Sequence, residues 1–480
     1  MLGAPGEPVG EDGGGMSAPS SVTGMERLRA SRVAIWGTGA EGLGVAKAAL
    51  EHGADVVFVD DRVGESRSTS ASGGSVSVNG VAVPLRSPTA LGEGQFDCVV
   101  RSPGVSVYRE ELQKVLAAGS TVTSATAMWL EDFSDSRVIG VTGTKGKTTT
   151  AWLTAIVLEA CGLQVRLGGN MGTPLTELYD EEPSDVYVVE ISSFQGADVK
   201  VSPAVGVLTL LAPDHLDWHG TYDRYVRDKL NLFDHRQDVA LAVSSSSPDA
   251  IVRTARYSRR VLYGSEGRIT VRCGQVMLDG ELLVDLEVSA LALRGEHNQV
   301  NLCGALTACM LEEGHLPSPE VLEQALEKMP VLPSRLETVG VSGGIEFVND
   351  ALASNPAGTV AALRTFARRP ICLIVGGQDR AVDLDPLVRA IEDARPPPAI
   401  VCLPDLGERL SVELASSGSR VTCVGAPTVR DAVLQARALL GDEGVVLFSP
   451  AAPTPHVEGT YVQRGASFNE AVAELGGSRA

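Results

Sequence analysis

Three times along this chain a short apolar run breaks at a glycine-rich turn and resumes as a helical pattern. Arg32–Trp36 precedes Gly37-Thr38-Gly39-Ala40-Glu41-Gly42. Residues 137–142 precede Gly143-Thr144-Lys145-Gly146-Lys147-Thr148, and residues 371–375 precede Gly376-Gly377-Gln378-Asp379-Arg380. Strand, glycine turn and helix in that order make a βαβ unit and dictate a parallel sheet covered by helices. Asp55–Val59, ending at Asp60-Asp61, and residues 96–100 extend the first block as strands. Residues 185–190 and 204–210 do so for the second. Beyond Leu332-Pro333, apolar strands at 345–348, 371–375, 400–403, 421–424 and 445–448 alternate with helices such as Val429–Leu440. The Ser/Gly-rich stretch 64–80 reads as loop and the acidic stretch 131–136 as a linker. The expectation is an α/β chain with a disordered tail (1–25) and three domains: 26–133, 134–332 and 333–480.

Composition narrows the function. The 480 residues carry 40 Lys+Arg against 60 Asp+Glu, a net charge of −20. That balance excludes a protein that wraps nucleic acid. It leaves room for a local phosphate site built from backbone N–H groups. The eight cysteines include no CxxC pair, so neither a zinc knuckle nor a disulfide framework is signalled. Residues 1–25 lack the apolar core of a signal peptide, and no apolar stretch reaches the ~20 residues of a membrane span. A cytoplasmic protein with no membrane partner is expected.

Residues 142–149, TGTKGKTT, form the most informative segment. Gly143 and Gly146 let the backbone curl around phosphate oxygens while the helix N-terminus supplies positive potential. Lys147 would reach the outer phosphates and Thr148 would offer its hydroxyl to Mg²⁺. The strict P-loop pattern wants glycine where this chain has Val141, so the loop is a variant. The first turn fits GxGxxG, with Asp60 at the end of the following strand. It suits any nucleotide diphosphate. NAD is disfavoured because no hydride-accepting site accompanies it, and a purely structural turn remains open.

Three further groups could serve cations. Glu190 ends an apolar strand, His215 follows the next one, and Lys229 lies on a helical run. Taken singly, Glu190 is as readily a solvated or capping carboxylate, and Lys229 an ordinary surface lysine. Asn298 and Asn301 open a helical run, where caps are routine. Arg335 at the third block's entrance could neutralise a transferring phosphate, and Asp350 at a strand end could hold a ribose. Arg380 and Thr454 could grip a small carboxylate.

Taken together, the chain resembles the Mur ligases, the ATP-dependent amide-bond ligases of peptidoglycan synthesis. The residues that carry the likeness are Thr142 to Thr148, Gly169-Asn170-Met171-Gly172, Glu190-Ile191-Ser192-Ser193-Phe194-Gln195, Asp214-His215-Leu216-Asp217, Lys229, His297-Asn298 with Asn301, Arg335 and Asn349-Asp350. The resemblance implies a Rossmann-like N-terminal domain, a P-loop central domain and a Rossmann-like C-terminal domain. It makes Gly143, Thr144, Lys145, Gly146, Lys147, Thr148, Thr149, Asn301, Arg335 and Asp350 contacts of ATP. It implies two Mg²⁺ ions, one on Thr148 and Glu190, the other on His215 and a carbamylated Lys229. Lys147, Glu190, His215 and Lys229 become the catalytic set. Gly39, Asp60, Asp61, Arg62, Ser102, Asn170 and Ser192 would serve the UDP substrate, with Asn170 also near ATP. Arg380, Thr454 and Tyr461 would serve the amino acid.

The first block, with Ser102-Pro103-Gly104-Val105, resembles the branch that adds glutamate to UDP-N-acetylmuramoyl-L-alanine. In the third block Leu352 and Arg380 stand where D-glutamate enzymes carry lysine, and Trp36-Gly37 with Glu41-Gly42, Leu216-Asp217-Trp218-His219-Gly220 and Gly376-Gly377-Gln378-Asp379-Arg380 resemble the subgroup that adds L-glutamate and relies on a separate epimerase. The D-glutamate reaction is the first alternative. A folate-type polyglutamate ligase is disfavoured by the N-terminal βαβ block, and a non-catalytic UDP-sugar sensor by the intact catalytic set. A monomer acting on small molecules is expected.

Overall fold

The structure is a computed structural model that describes residues 24–63, 74–93, 95–170, 173–286, 295–328 and 333–476. Residues 1–23 of the expected tail, the 64–73 part of the expected loop, Met171-Gly172 and Pro330 lie outside the described residues. Three sheets of six, nine and six strands carry the α/β architecture.

The chain divides into two compact units. The first holds the described residues up to Thr142, with Arg166–Ala204 and Pro213–Val239. The second holds Gly143–Val165, Val205–Ala212 and the chain from Ala240 onward.

In the first unit, β1 (Arg32–Trp36), β2 (Asp55–Val59), β3 (Ser75–Val78), β4 (Val81–Arg86), β5 (Cys98–Arg101) and β6 (Thr121–Ser124) lie in the order β3-β4-β2-β1-β5-β6. All pairs are parallel except β3–β4, an antiparallel hairpin. That hairpin corrects the loop expected at 64–80. Its short alternating strand reads as Ser/Gly loop because it contributes little apolar surface, only Val78 being buried. Of the expected linker at 131–136, only Glu131 and Asp132 differ: they close helix Ala125–Asp132, where they accept from the Gly24 and Met25 amides. Val33, Ile35, Val45, Phe58 and Met128 fill one face of the sheet, and Ala34, Trp36, Val99 and Leu112 the other. The same unit contains β7 (Val138–Thr142), β8 (Val165–Gly169, from Arg166) and β9 (Val186–Glu190), with β7 and β9 parallel.

The second unit opens with β10 (Val205–Leu208), β11 (Ala240–Ser244) and β12 (Arg259–Gly264), parallel throughout. They continue into β13 (Ile269–Arg272), β14 (Gln275–Leu278) and β15 (Glu281–Asp285), an antiparallel meander. The last sheet comprises β16 (Glu337–Ser342), β17 (Ile345–Asn349), β18 (Ile371–Gly377), β19 (Ala399–Asp405), β20 (Cys423–Gly425) and β21 (Gly444–Phe448), in the order β16-β17-β21-β18-β19-β20. Only β16–β17 is antiparallel. Every residue of β17, β18 and β21 is buried, as helices on both faces demand. Cys98, Cys303, Cys309, Cys372 and Cys402 are buried thiols, and Cys273 is exposed.

Candidate active site

The phosphate loop is built from the second unit. Helix Lys147–Ala160 starts at Gly146, whose φ of +89° is left-handed. A Cβ there would lie 2.5 Å from Asn301 Oδ1, so glycine is required by both conformation and space. The Thr144 amide donates to Leu210 O at 2.6 Å, and its hydroxyl donates to Ala212 O at 3.0 Å. Thr209 Oγ1 donates to Lys145 O at 2.6 Å. These bonds hold the turn, so the helix N-terminal amides stay aimed outward. Lys147 Nζ folds back to Thr144 O at 3.2 Å, and Thr148 and Thr149 lie in the first helical turn. Val141 is a fully buried residue of β7, so this chain needs no glycine there: the turn begins two residues later, at Gly143.

Helix Glu296–Glu313 brings Asn301 to that loop. Asn298 and Asn301 lie inside this helix, not at its cap; Gly295 is the cap. Asn301 Nδ2 donates to Asn298 Oδ1 at 3.2 Å. Nearby in the sequence, His297 lies exposed in the first turn of this helix, and the like charge of Arg335 helps to lower its imidazole pKa. Asp350 is the opposite case. Burial pushes its carboxyl up to about 7, against hydrogen bonds from the Ser449 hydroxyl (2.8 Å) and the Leu336 amide and the attraction of Arg335. Arg335 therefore acts on both groups. Arg380 follows the β18 turn, Thr454 the β21 turn, and Tyr461 opens helix Tyr461–Glu474.

The first unit gathers the remaining candidates. Gly39 caps helix Ala40–Glu51 with no side-chain cap bond, and a Cβ at Gly39 would meet nothing, which leaves the helix N-terminus open. Asp60 is gripped within its own turn: Arg62 donates to it from Nε (2.8 Å), Nη2 (2.7 Å) and its amide (3.0 Å). This grip holds its carboxyl down at about 2. Asp61 pairs with Arg109 at 3.1 Å, and Arg109 lies over the Trp36 ring at 4.7 Å. The Ser102 amide donates to Trp36 O at 2.8 Å, and its Oγ is buried without a hydrogen-bond partner among the described residues. That orphan donor fits a polar ligand.

Glu190 is 2% exposed at the end of β9, and Asn170 Nδ2 donates to it at 3.0 Å. Ser192 caps the turn Ser193–Gly196 in a capping box with Gln195. His215 holds a left-handed φ of +52°, with its ring edge against Phe194 at 4.8 Å. Lys229 is buried, its Nζ 4.7 Å from the Tyr225 ring centroid.

The sequence reading passed over several groups that hold this site. Arg101, fully buried, donates to Asp198 (2.7 Å), Phe194 O (2.7 Å) and Val105 O (3.2 Å). His219 is buried, with Nδ1 2.7 Å from Asp228 and Nε2 3.0 Å from Ser193 Oγ, while Tyr108 donates to the same Asp228. An arginine closing an apolar strand was the available signal for Arg101; nothing local marks the His219 network. Gln195 Nε2 donates to Glu41, whose carboxyl burial pushes up.

Two family models match the chain: the Mur ligase middle domain over residues 141–309 and the Mur ligase glutamate ligase domain over residues 334–452. A Micromonospora sp. protein named UDP-N-acetylmuramoyl-L-alanine--L-glutamate ligase is 35% identical, covering 94% of this chain and 99% of its own. One of the same name from Xanthomonas oryzae pv. oryzae is 34% identical over 92% and 95%. The MurF ligase of Thermotoga maritima, solved in complex with ADP, shares the fold with a TM-score of 0.58 at 16% identity, covering 94% and 97%. The chain belongs to the Mur ligase family. Its likeness within that family runs, nearly end to end, to proteins named as L-glutamate ligases.

Proposed function

We propose that this chain is an ATP-dependent ligase that joins L-glutamate to UDP-N-acetylmuramoyl-L-alanine. The observation that carries the reading is the 35% identity to an L-glutamate ligase over 99% of that protein's length. The domains read as 26–133 for the UDP substrate, 134–332 for ATP and 333–480 for the amino acid. The substrate carboxylate attacks the γ-phosphate of ATP, giving an acyl phosphate and ADP. The glutamate amine then attacks the acyl carbon, and the tetrahedral adduct collapses with loss of phosphate.

Two anions meet in the first step, so charge must be neutralised. Lys147 and the amides at the start of helix Lys147–Ala160 supply positive potential. Asn301, against the Gly146 turn, and Arg335 with Asp350 complete the ATP contacts. Lys147, Glu190, His215 and Lys229 form the catalytic set. Mg²⁺ fits the donor chemistry, because the Glu190 carboxylate and Thr148 hydroxyl are hard oxygen donors. Bound there, it would supply Lewis-acid charge neutralisation. His215 would be a further ligand, and Lys229 would join only as a carbamate, which turns a buried cation into an oxygen donor. Gly39, Asp60, Asp61, Arg62, Ser102, Asn170 and Ser192 serve the UDP substrate. Arg380, Thr454 and Tyr461 serve glutamate. The chain acts as a cytoplasmic monomer, and an epimerase acting on the product is its functional partner. Among the described residues no helix is long and apolar enough to cross a membrane.

The test is ADP release with UDP-N-acetylmuramoyl-L-alanine, Mg²⁺ and each glutamate enantiomer. Faster turnover with L-glutamate is expected. Faster turnover with D-glutamate would move the chain to the other branch, and no ADP with either would sink the ligase reading.

A further inference from the structure

We propose that Arg464 is a positioning residue of the amino-acid site, holding the turns that follow β18 and β21 in one register. The proposal rests on the ligase reading above.

Strands β18 and β21 are parallel neighbours, with Ile374 opposite Phe448, so their turns leave the sheet side by side. The backbones touch: the Gly376 amide donates to Pro450 O and the Gln378 amide to Pro453 O, both at 2.9 Å. Arg464 comes from the first turn of helix Tyr461–Glu474, far along the chain from the first of these turns. Its Nη1 donates to Gly376 O at 2.9 Å, and its Nε lies 2.7 Å from the Glu458 carboxylate. Its guanidinium carbon stands 5.6 Å from the Phe448 ring centroid. The packing leaves no slack: a Cβ on Gly377 would lie 2.7 Å from both Arg464 Nη1 and Pro453 O.

The same helical turn reaches the other way. Gly465 O accepts from Asn349 Nδ2 at 3.2 Å, and a Cβ on Gly465 would lie 2.6 Å from Ser334 Oγ. Ser334 and Asn349 are the chain neighbours of Arg335 and Asp350. One turn of helix thus joins the ATP-facing strand end to the loops bearing Arg380 and Thr454.

Stability does not account for this arginine. It is 2% exposed, burial pushes its pKa below the ordinary value, and neither Nη2 nor Nε, which meets Glu458 as an ion pair only, makes a geometric hydrogen bond among the described residues. A buried guanidinium with one ion pair is weak support for a fold, and an apolar side chain of similar volume often does as well. What a guanidinium supplies and an apolar side chain does not is a directed bond to Gly376 O together with an ion pair to Glu458, which ties the two turns to one helix.

The experiment measures kcat, the three substrate KM values and Tm for wild type, Arg464→Ala, Arg464→Lys and Glu458→Gln. Arg464→Ala is expected to raise the glutamate KM roughly tenfold or more, with the other two KM values within about twofold. Added guanidinium ion should lower the glutamate KM of that variant and leave wild type unchanged. Arg464→Lys, which keeps the charge and loses the fork, should fall between; Glu458→Gln should raise the glutamate KM a few-fold. A glutamate KM unmoved in all three variants overturns the proposal, as does a parallel rise of all three KM values with a fall in Tm. If Arg464→Ala fails to fold, the two conservative variants decide by the same criteria. Wild type inactive with either glutamate would instead sink the ligase reading, and this proposal with it.

Discussion

The phosphate loop and the paired turns after β18 and β21 are made of similar parts, glycine turns at the ends of buried parallel strands, yet they are held differently. The phosphate loop is a contiguous motif whose ligand-facing groups are its own consecutive amides; the Thr144 amide on Leu210 O and the Thr209 hydroxyl on Lys145 O anchor it, and a left-handed Gly146 caps its helix. The paired turns have no such motif. They are fastened by a guanidinium that arrives from a distant helix and spends its charge on Glu458 and Gly376 O. A site whose ligand-facing groups are consecutive backbone amides carries its signature in consecutive residues. A site held by a remote side chain does not, and a single substitution far away can loosen it.

Substitutions can break or sharpen that contrast. The largest effect is expected from Lys147→Ala, which removes a cation and its bond to Thr144 O but leaves the anchors to Leu210 O and from Thr209 in place. Turnover should fall by at least about a thousandfold with Tm nearly unchanged. Comparable Tm loss would mean that the lysine holds the loop as well as serving it. Next comes Lys229→Ala: turnover should collapse, and short carboxylates added to the assay should restore part of it. Full activity without additives would remove the carbamate from the scheme. Gly146→Ala attacks the fastening itself. The left-handed φ costs ~1–2 kcal/mol, and the new methyl must displace Asn301, so both Tm and ATP affinity should fall. In the paired turns, Arg464→Ala should spare ATP affinity and weaken glutamate alone.

The smallest effect is a pH dependence at the entrance of the third block. Asp350, raised to about 7, keeps its proton in the fold while the unfolded chain ionises above roughly pH 4. Stability is therefore lost as pH rises from about 4 to about 7 and then levels off. Asp350→Asn removes that loss, so its Tm should gain several degrees on wild type across this window. A pH curve unchanged in Asp350→Asn would show that this carboxyl is not buried as described.

Much of this was legible before any coordinates. Strands Arg32–Trp36 and Asp55–Val59 and helix Val429–Leu440 lie where the apolar pattern puts them, because the strands are apolar runs buried on both faces, the helix buries one stripe, and each stops at a glycine or polar turn. The hairpin β3–β4 was not legible, since a short Ser-rich strand carries almost no apolar alternation. Nor was the grip of Arg62 on Asp60, which turns an apparently open carboxylate into the anchor of its own turn.

The amino-acid sequence alone determined that this chain is a parallel α/β protein with a phosphate-binding loop, and that it carries the residues of a Mur-type ligase. Those properties reside in consecutive residues and in the period of apolar positions. Only the tertiary structure decided that His219 is buried between Asp228 and Ser193, that Asn301 abuts Gly146, and that Arg464 joins two turns. Such pairings depend on which distant segments share a sheet edge or a helix turn. A buried polar group shows its role only once the partners that offset its desolvation are in view.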